Sequence, residues 1–484
     1  MNSKQNGIET GSKVAVVGGG PAGSFFALYL QHYARERDIR PEITIYEERD
    51  FNWLGPKGCK GCAGVPSPNL TRNLRDLNLR LPERLVLAKI QNYTLHSPHT
   101  SISIAQPEKG MEIASVYRGG GPRLSHFESP VSFDAWLLEQ AQESGVRIES
   151  QRVSGISLER RPAVEAAGSR LEFDLVVLAP GINAGSIAIA GVDYVPPQTR
   201  TMDVVELYAS ADEVKSRLGN AAHAFVIPNS GLVFGTLVPK GPFINVVLLN
   251  IGKHPMSIAD FLNNELVRSV LPERFERSCA CRPLVPVSSA RNYYADRFVA
   301  VGDAAVSRLY KDGIGFALLT ARRAARTVVY RGTAHRDFHR HYKPLCKAID
   351  RDNWWGRMLF STTGKAKDSR SFLLAQHRLI ADEQTSRRGS QPFTRGTWGI
   401  FTGSDSYRSI ARMTLNPASL VRLSLALCRE GLKGLLRRGV NGRRKLHIGS
   451  TRVLILGSGF GGGPTCCDTL YHLSTPTRTS RRQW

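Results

Sequence analysis

Long apolar runs are missing from this chain: no stretch of about 18 uninterrupted apolar residues occurs in it, which leaves no candidate membrane-spanning helix. The opening MNSKQNGIETGSK also lacks the apolar core of a secretory signal, so a cytosolic protein is expected. Cysteine is scarce. Eight thiols in 484 residues, scattered except for two close pairs and one adjacent doublet, do not make a secreted disulfide framework, and reduced thiols are expected. Acidic residues thin out toward the end. Residues 1–320 carry 34 Lys and Arg against 32 Asp and Glu, whereas residues 321–484 carry 31 against 9. The net charge of +24 therefore belongs to the last third, and a near-neutral body with one basic end fits docking on an acidic surface. Anionic membrane is the first candidate for that surface and nucleic acid the competing one. What remains, 42% hydrophobic and 22% charged, is enough to bury a large core in two or three structural units, and disorder is not expected.

The first positive signal is at residues 13–17, KVAVV, a short β-branched run followed by GGGPAG and then by the helical SFFALYLQHYARE. Gly18, Gly20 and Gly23 stand at GxGxxG spacing around Pro21 and Ala22. In that motif the first glycine permits the turn, the second lets the backbone approach a pyrophosphate, and the third allows close helix-to-strand packing. The helix start then presents free N–H groups and a positive dipole end to the phosphates. A second apolar run, EITIYEE, places Glu47 where an acid bonds a ribose hydroxyl. Strand, glycines, helix and acid agree on a dinucleotide site.

Two later segments complete the pattern. FDLVVLAPGINA, residues 173–184, reads as an internal strand ending in a turn of small residues. DRFVAVGDAAVSRLYKDGIGFALLTARRAA, residues 296–325, reads as strand, Gly-Asp turn, loop and long helix. With these, the sequence resembles the FAD-dependent oxidoreductases built like para-hydroxybenzoate hydroxylase, and among them most the geranylgeranyl reductase family, over residues 12–415 in order. The resemblance implies that Gly302 and Asp303 contact the ribityl or pyrophosphate region of FAD. It further implies that the helix start at Gly313, Ile314 and Gly315 faces the ring edge that becomes anionic on reduction. Two positions depart from the hydroxylase pattern. Ala179, Pro180 and Gly181 stand where an Asp-Gly pair is usual, and the arginine usually found three residues before the central Phe-Asp is replaced by Pro130, ahead of Ser132, Phe133 and Asp134.

FNWLGPKGCKGCAGVPSPNL, residues 51–70, is a Gly- and Pro-rich loop with Cys59 and Cys62 at C-x-x-C spacing. The resemblance places residues 58–64, Gly61 and Ala63 included, along the isoalloxazine. Three readings of the cysteines stand side by side. They form a redox or proton-donating pair whose thiolate character Lys57 and Lys60 favour, they pack the loop, or with Cys279 and Cys281 they bind zinc, for which the spacing is poor.

The expected fold class is α/β: a Rossmann-like FAD-binding domain with an inserted mixed or antiparallel β-sheet substrate domain and a helical basic C-terminal region. The spans are 12–185 for the first part of the FAD domain, 186–290 for the substrate sheet and 291–330 for the Gly-Asp element and its helix. Residues 331–445 are expected to form the helical basic region, and 446–484 a truncated second dinucleotide-binding start. AFVIPNSGLVFGTLVPKG and FINVVLLNIG supply the sheet, which in the resembling family roofs an isoprenoid tunnel. WGIFTGSDSYRSIARMTLNP, residues 398–417, is similar to the C-terminal region of bacterial members of that family. The next segment sets Leu420, Leu423, Leu427, Leu432 and Leu435 among Arg422, Arg429, Lys433, Arg437 and Arg438. That composition suits a helix lying in a membrane interface, or one packed by its leucine face on the body. TRVLILGSGFGGG, residues 451–463, repeats the opening motif with Gly457, Gly459 and Gly462, and resembles the start of type II NADH dehydrogenases. With few residues after it, no nucleotide is expected there.

The leading expectation is an FAD-dependent oxidoreductase that reduces carbon-carbon double bonds of an isoprenoid or lipid-like substrate. NAD(P)H or ferredoxin would be the electron donor, and residence would be cytoplasmic or peripheral on the inner membrane face. The alternatives are an aromatic hydroxylase or halogenase on the same fold, and a non-enzymatic flavin-binding membrane-docking module.

Overall fold

The computed structural model describes residues 7–55, 62, 64–183, 185, 187–251, 254–386 and 390–446, with side chains up to Lys433. The repeated glycine motif at Gly457, Gly459 and Gly462 lies outside the described residues, as do Cys59, Gly61 and Ala63.

KVAVV forms the strand Lys13–Val17, the centre of a six-stranded sheet. Across that sheet the order is Tyr294–Ala295, Phe298–Ala300, Leu175–Leu178, Lys13–Val17, Glu42–Tyr46, Arg147–Glu149, all parallel except the first edge strand. Each strand side faces a different cover, so every residue of the central strand beyond Lys13 is buried, as a parallel sheet with two covered faces demands. Val14, Val16, Ile43, Ile45 and Val177 pack under the helices Pro21–Glu36 and Gly313–Tyr330. Ala15, Val17, Val176 and Leu178 face a small four-stranded sheet through Val153, Ile156 and Val164.

The inserted sheet has seven strands: Glu276–Cys281, Asp203–Tyr208, Phe243–Asn250, Leu232–Lys240, Ala221–Phe225, Asn92–Ser97, Thr100–Ala105. It is mixed, because Ala221–Phe225 and Asn92–Ser97 run parallel while the other neighbours are antiparallel. Its last two strands come from inside the span 12–185, ahead of the internal strand of the dinucleotide domain. Side chains alternate between its faces. Val205, Leu207, Ile244, Val246 and Leu248 bury the helices Ala211–Leu218 and Ile258–Asn263. Phe234 and Val247 point the other way, toward the dinucleotide domain.

Residues beyond 330 are helical as expected, from His335–His341 to Pro417–Leu446. Two of these helices matter for the site. Pro392–Thr402 buries Trp398 completely, with Trp398 edge-on to Tyr93 and Phe401 stacked on the same ring at 5.0 Å. Lys343–Ala366 carries Asn353, whose amide accepts from Leu309 N–H at 2.9 Å and donates to the Ser307 carbonyl at 2.8 Å, holding the loop after the Gly-Asp turn.

Candidate active site

Three neighbouring parallel strands end together. Lys13–Val17 leads into Gly18, Gly19 and Gly20, Leu175–Leu178 into Ala179, and Phe298–Ala300 into Gly302 and Asp303. The carboxyl edge of such a sheet is where open α/β folds hold ligands. Here it opens into a cavity of about 470 Å³, walled opposite by the inner face of the seven-stranded sheet.

The glycines at 18 and 23 are required by contact. At Gly18 φ is +105° and a Cβ would come within 2.4 Å of the Ala179 carbonyl oxygen, whereas at Gly23 it would come within 1.9 Å of the Gly18 oxygen. Gly20 differs: a Cβ there would meet only Arg118 Nη2, at 3.8 Å, so its missing side chain leaves room on the cavity side. Pro21 and Ala22 open the helix and line the cavity beside it. Gly302 N–H donates to Thr320 Oγ1 at 2.9 Å, which ties the Gly-Asp turn to the second long helix.

Asp303 lines the cavity, and burial pushes its pKa up against the Ser307 hydroxyl and the charge of Arg118. Gly313 and Ile314 also line it, at the start of an 18-residue helix. Gly315 stands one residue deeper, its N–H capped by Asp312 Oδ1 at 3.3 Å. Glu47 stands at the end of the second strand, where its carboxylate accepts from Gly19 N–H at 2.9 Å and from Arg49 N–H and Nε at 3.0 Å each, and so braces the glycine turn.

Arg118, between a short strand and the central helix, lines the cavity opposite Gly20. Its guanidinium pairs with Asp134 through Nη2–Oδ2 at 2.7 Å and Nε–Oδ1 at 3.2 Å. Its carbonyl accepts from Ser132 Oγ at 2.9 Å, the residue that caps the helix Phe133–Glu143. Burial raises the Asp134 pKa, and Arg118 works against that. An arginine facing the open side of Gly20 is suited to a pyrophosphate, so the residues present fit FAD: glycine cradle, helix start, cation and Gly-Asp turn.

The fold is one that solved flavin-dependent enzymes share. Among solved structures, the p-nitrophenol 4-monooxygenase of Pseudomonas putida aligns over 82% of this chain and 98% of its own, with a TM-score of 0.55 and 15% identity. A flavoprotein/dehydrogenase of Cytophaga hutchinsonii aligns over 87% of this chain and 100% of its own, again with a TM-score of 0.55 and 15% identity. A flavin-dependent brominase aligns over 90% and 100%, with a TM-score of 0.51 and 14% identity. No protein-family model and no curated protein matches the chain.

Of the cysteine pair, Cys62 is described. It lines a second, smaller hollow with Glu206, Cys279 and Cys281, and is not among the residues lining the large cavity. The C-x-x-C loop and the C-x-C strand thus converge at Cys62, although no group of three or more potential ligands among the described residues is arranged to hold a metal. Beside the hollow, Glu206 accepts from Asn245 Nδ2 at 2.6 Å and from Tyr117 Oη at 3.1 Å, and burial raises its pKa to about 7.

Sequence reasoning missed Arg118 and Lys311. Arg118 carried a weak signal in the run YRGGGP, a glycine-rich turn after a short strand. Lys311 carried one in being a lone lysine between the Gly-Asp turn and the helix it leads to.

Proposed function

We propose that the chain binds FAD in this cavity and works as a monooxygenase on a compact organic substrate. The observation that carries this reading is the cavity itself. Its 470 Å³ must hold the reactive ring of the cofactor together with the substrate, and its outer wall mixes Phe234, Val238 and Val247 with Thr236, Asn245 and Lys311. A polyprenyl chain would leave such polar groups desolvated without partners, which is costly. The fold supports the same side, since a p-nitrophenol monooxygenase and a brominase share it. Double-bond reduction of an isoprenoid rests on the family resemblance of the sequence alone.

When bound, FAD supplies two-electron transfer and the activation of dioxygen. The chain's own residues hold and enclose it. Gly20 and the first helix start would receive the pyrophosphate with Arg118 opposite, and Asp303 would accept hydrogen bonds from the cofactor's hydroxyls. The start of Gly313–Tyr330 turns its dipole toward the ring edge that gains charge. Phe401 and Thr402, brought in by the helix around Trp398, close one end against water. NAD(P)H is the proposed donor, with a ferredoxin-type protein as the other.

The test is isotopic. Protein supplied with NADPH or NADH, a panel of phenols and aromatic acids, and ¹⁸O₂ should consume oxygen in step with substrate and place one labelled atom in the product. Oxygen-independent addition of two hydrogens to a polyprenyl double bond, with no label in any aromatic product, would overturn the reading and restore the reductase.

A further inference from the structure

Lys311 sits at the end of the cavity where the loop from the Gly-Asp turn meets the inserted sheet. Its ammonium lies 4.4 Å from the centroid of the Phe234 ring and makes no hydrogen bond or ion pair among the described residues. The backbone forces it there. Tyr310 and Asp312, on either side, both have left-handed φ, +66° and +58°, conformations that non-glycine residues keep only where surrounding structure imposes them.

The charges around it do not neutralise it. Arg308, the charged group that acts on it, has the same sign and lies over the ring of Tyr407 at 4.0 Å, while its Nη1 donates to the Gly403 carbonyl at 2.9 Å. Arg200 and Arg357 act on the neighbouring Tyr310 hydroxyl. The one carboxylate of the loop, Asp312, is engaged by Gly315 N–H and the Ser67 hydroxyl. Burial, with Arg308 second, pulls the Lys311 pKa down to about 8, so the ammonium is still largely protonated at neutral pH and gains strongly from a counter-ion.

We infer that Lys311 selects the substrate, its Nζ pairing with a negatively charged oxygen of a planar organic anion, a carboxylate or phenolate, whose ring packs against Phe234. The inference rests on the reading of the cavity as the substrate site. A cation without a partner in the wall of a cavity that the substrate fills favours an anion over its neutral isostere, because the isostere leaves the ammonium unpaired. Two left-handed residues then have a function: they aim one lysine past the helix start into the space the substrate occupies.

Binding tests this without turnover. The FAD-loaded protein is titrated at pH 7 with benzoate and benzamide, and with 4-hydroxybenzoate and its methyl ester, by calorimetry and by perturbation of flavin absorbance. Each anion should bind at least about tenfold tighter than its neutral partner. Lys311→Met should bring each pair to equal affinity, Lys311→Arg should keep the preference, and all three proteins should carry the same FAD content. Absence of binding by both anions, equal affinities in the wild type, or a preference that survives in Lys311→Met would overturn the inference. So would a Lys311→Met protein that keeps the preference while losing FAD or shifting its reduction potential, since the lysine would then serve the cofactor. Failure of the oxygen-labelling test leaves these isotherms standing, so the two readings fall separately.

Discussion

Lys240 is completely buried, donating to the carbonyls of Cys62 and Val116 and lying 4.5 Å from the centroid of the Tyr117 ring. Its charge faces Glu206, and burial lowers the lysine pKa as it raises that of the acid to about 7. Removing one partner of such a pair strands the other, so Lys240→Met should cost about 3 kcal/mol of unfolding free energy. Glu206→Gln, which keeps an oxygen to accept from Asn245 Nδ2 and turns its NH2 to donate to Tyr117 Oη, should cost far less at pH 6. The sign of the pH effect follows from the raised acid. Between its ordinary value of 4.5 and about 7 the folded state holds a proton that the unfolded chain has released, so this group's contribution declines as pH rises through that window. Urea titrations of wild type and Glu206→Gln across pH 4.5 to 7.5 should differ in slope there, and parallel curves would refute the assignment. At the cradle, Gly20→Val should weaken FAD retention at least about tenfold, or about 1.4 kcal/mol, measured as flavin per chain after gel filtration. A yellow Gly20→Val protein with full flavin would place the pyrophosphate elsewhere.

The elements divide by how local their signals are. The strand Lys13–Val17, its glycines and the Gly-Asp turn were legible because each is specified within a few residues by β-branched runs and fixed spacing. Arg118 and Lys311 were not, since their roles come from chain segments that meet only on folding: Arg118 with the Ser132 cap and Asp134, Lys311 with Phe234. Short strands such as Asn92–Ser97 escaped notice too, for their pairing partner Ala221–Phe225 is far along the chain. That junction carries a testable histidine group. His96 Nε2 and His223 Nδ1 are 2.9 Å apart and His96 Nδ1 meets Ser101 Oγ at 2.8 Å, while His377 on the helix Arg370–Ser386 has both ring nitrogens buried without a partner. The same helix covers the sheet edge, with Gln384 bonding Ala105 N–H and the Ser103 carbonyl at 2.9 Å each. Burial lowers the His96 and His377 pKa values to about 4 and that of His223 as well. Between about 4 and 6.5 the unfolded chain therefore binds protons the folded chain refuses, and stability is lost as pH falls through that range. His377→Leu should flatten this loss and raise stability at pH 7 by about 1 kcal/mol, by removing two unpaired polar atoms. A steeper acid transition in thermal melts of that variant would contradict it.

Across the whole molecule, charge and exposed apolar surface coincide at the basic end. The helix Pro417–Leu446 begins with Leu423, Ala426 and Leu427 packed on the body, together with Trp398 and Phe393. At 3.6 residues per turn, Val421, Leu425, Cys428 and Leu432 share the opposite side. The three apolar ones are 59%, 66% and 62% exposed, far from the burial expected of an ordinary packed helix. The leucines of this segment thus form two faces, one folded onto the body and one left outward, with Arg429 beside the outward face. No helix among the described residues is long and apolar enough to cross a membrane. We propose that this outward face lies in the interface of an anionic membrane, where the net excess of basic residues in the last third supplies the attraction and the leucines the insertion. Because Leu423, Ala426 and Leu427 belong to the core, deletion of the helix would damage the fold, so the informative variant is V421E/L425E/L432E. Wild type should sediment with vesicles of phosphatidylcholine and phosphatidylserine and be released as salt shortens the screening length below about 8 Å. The triple variant should stay in solution with an unchanged melting temperature and FAD content. Equal sedimentation of the triple variant, or binding to vesicles of phosphatidylcholine alone that salt does not weaken, would end the proposal.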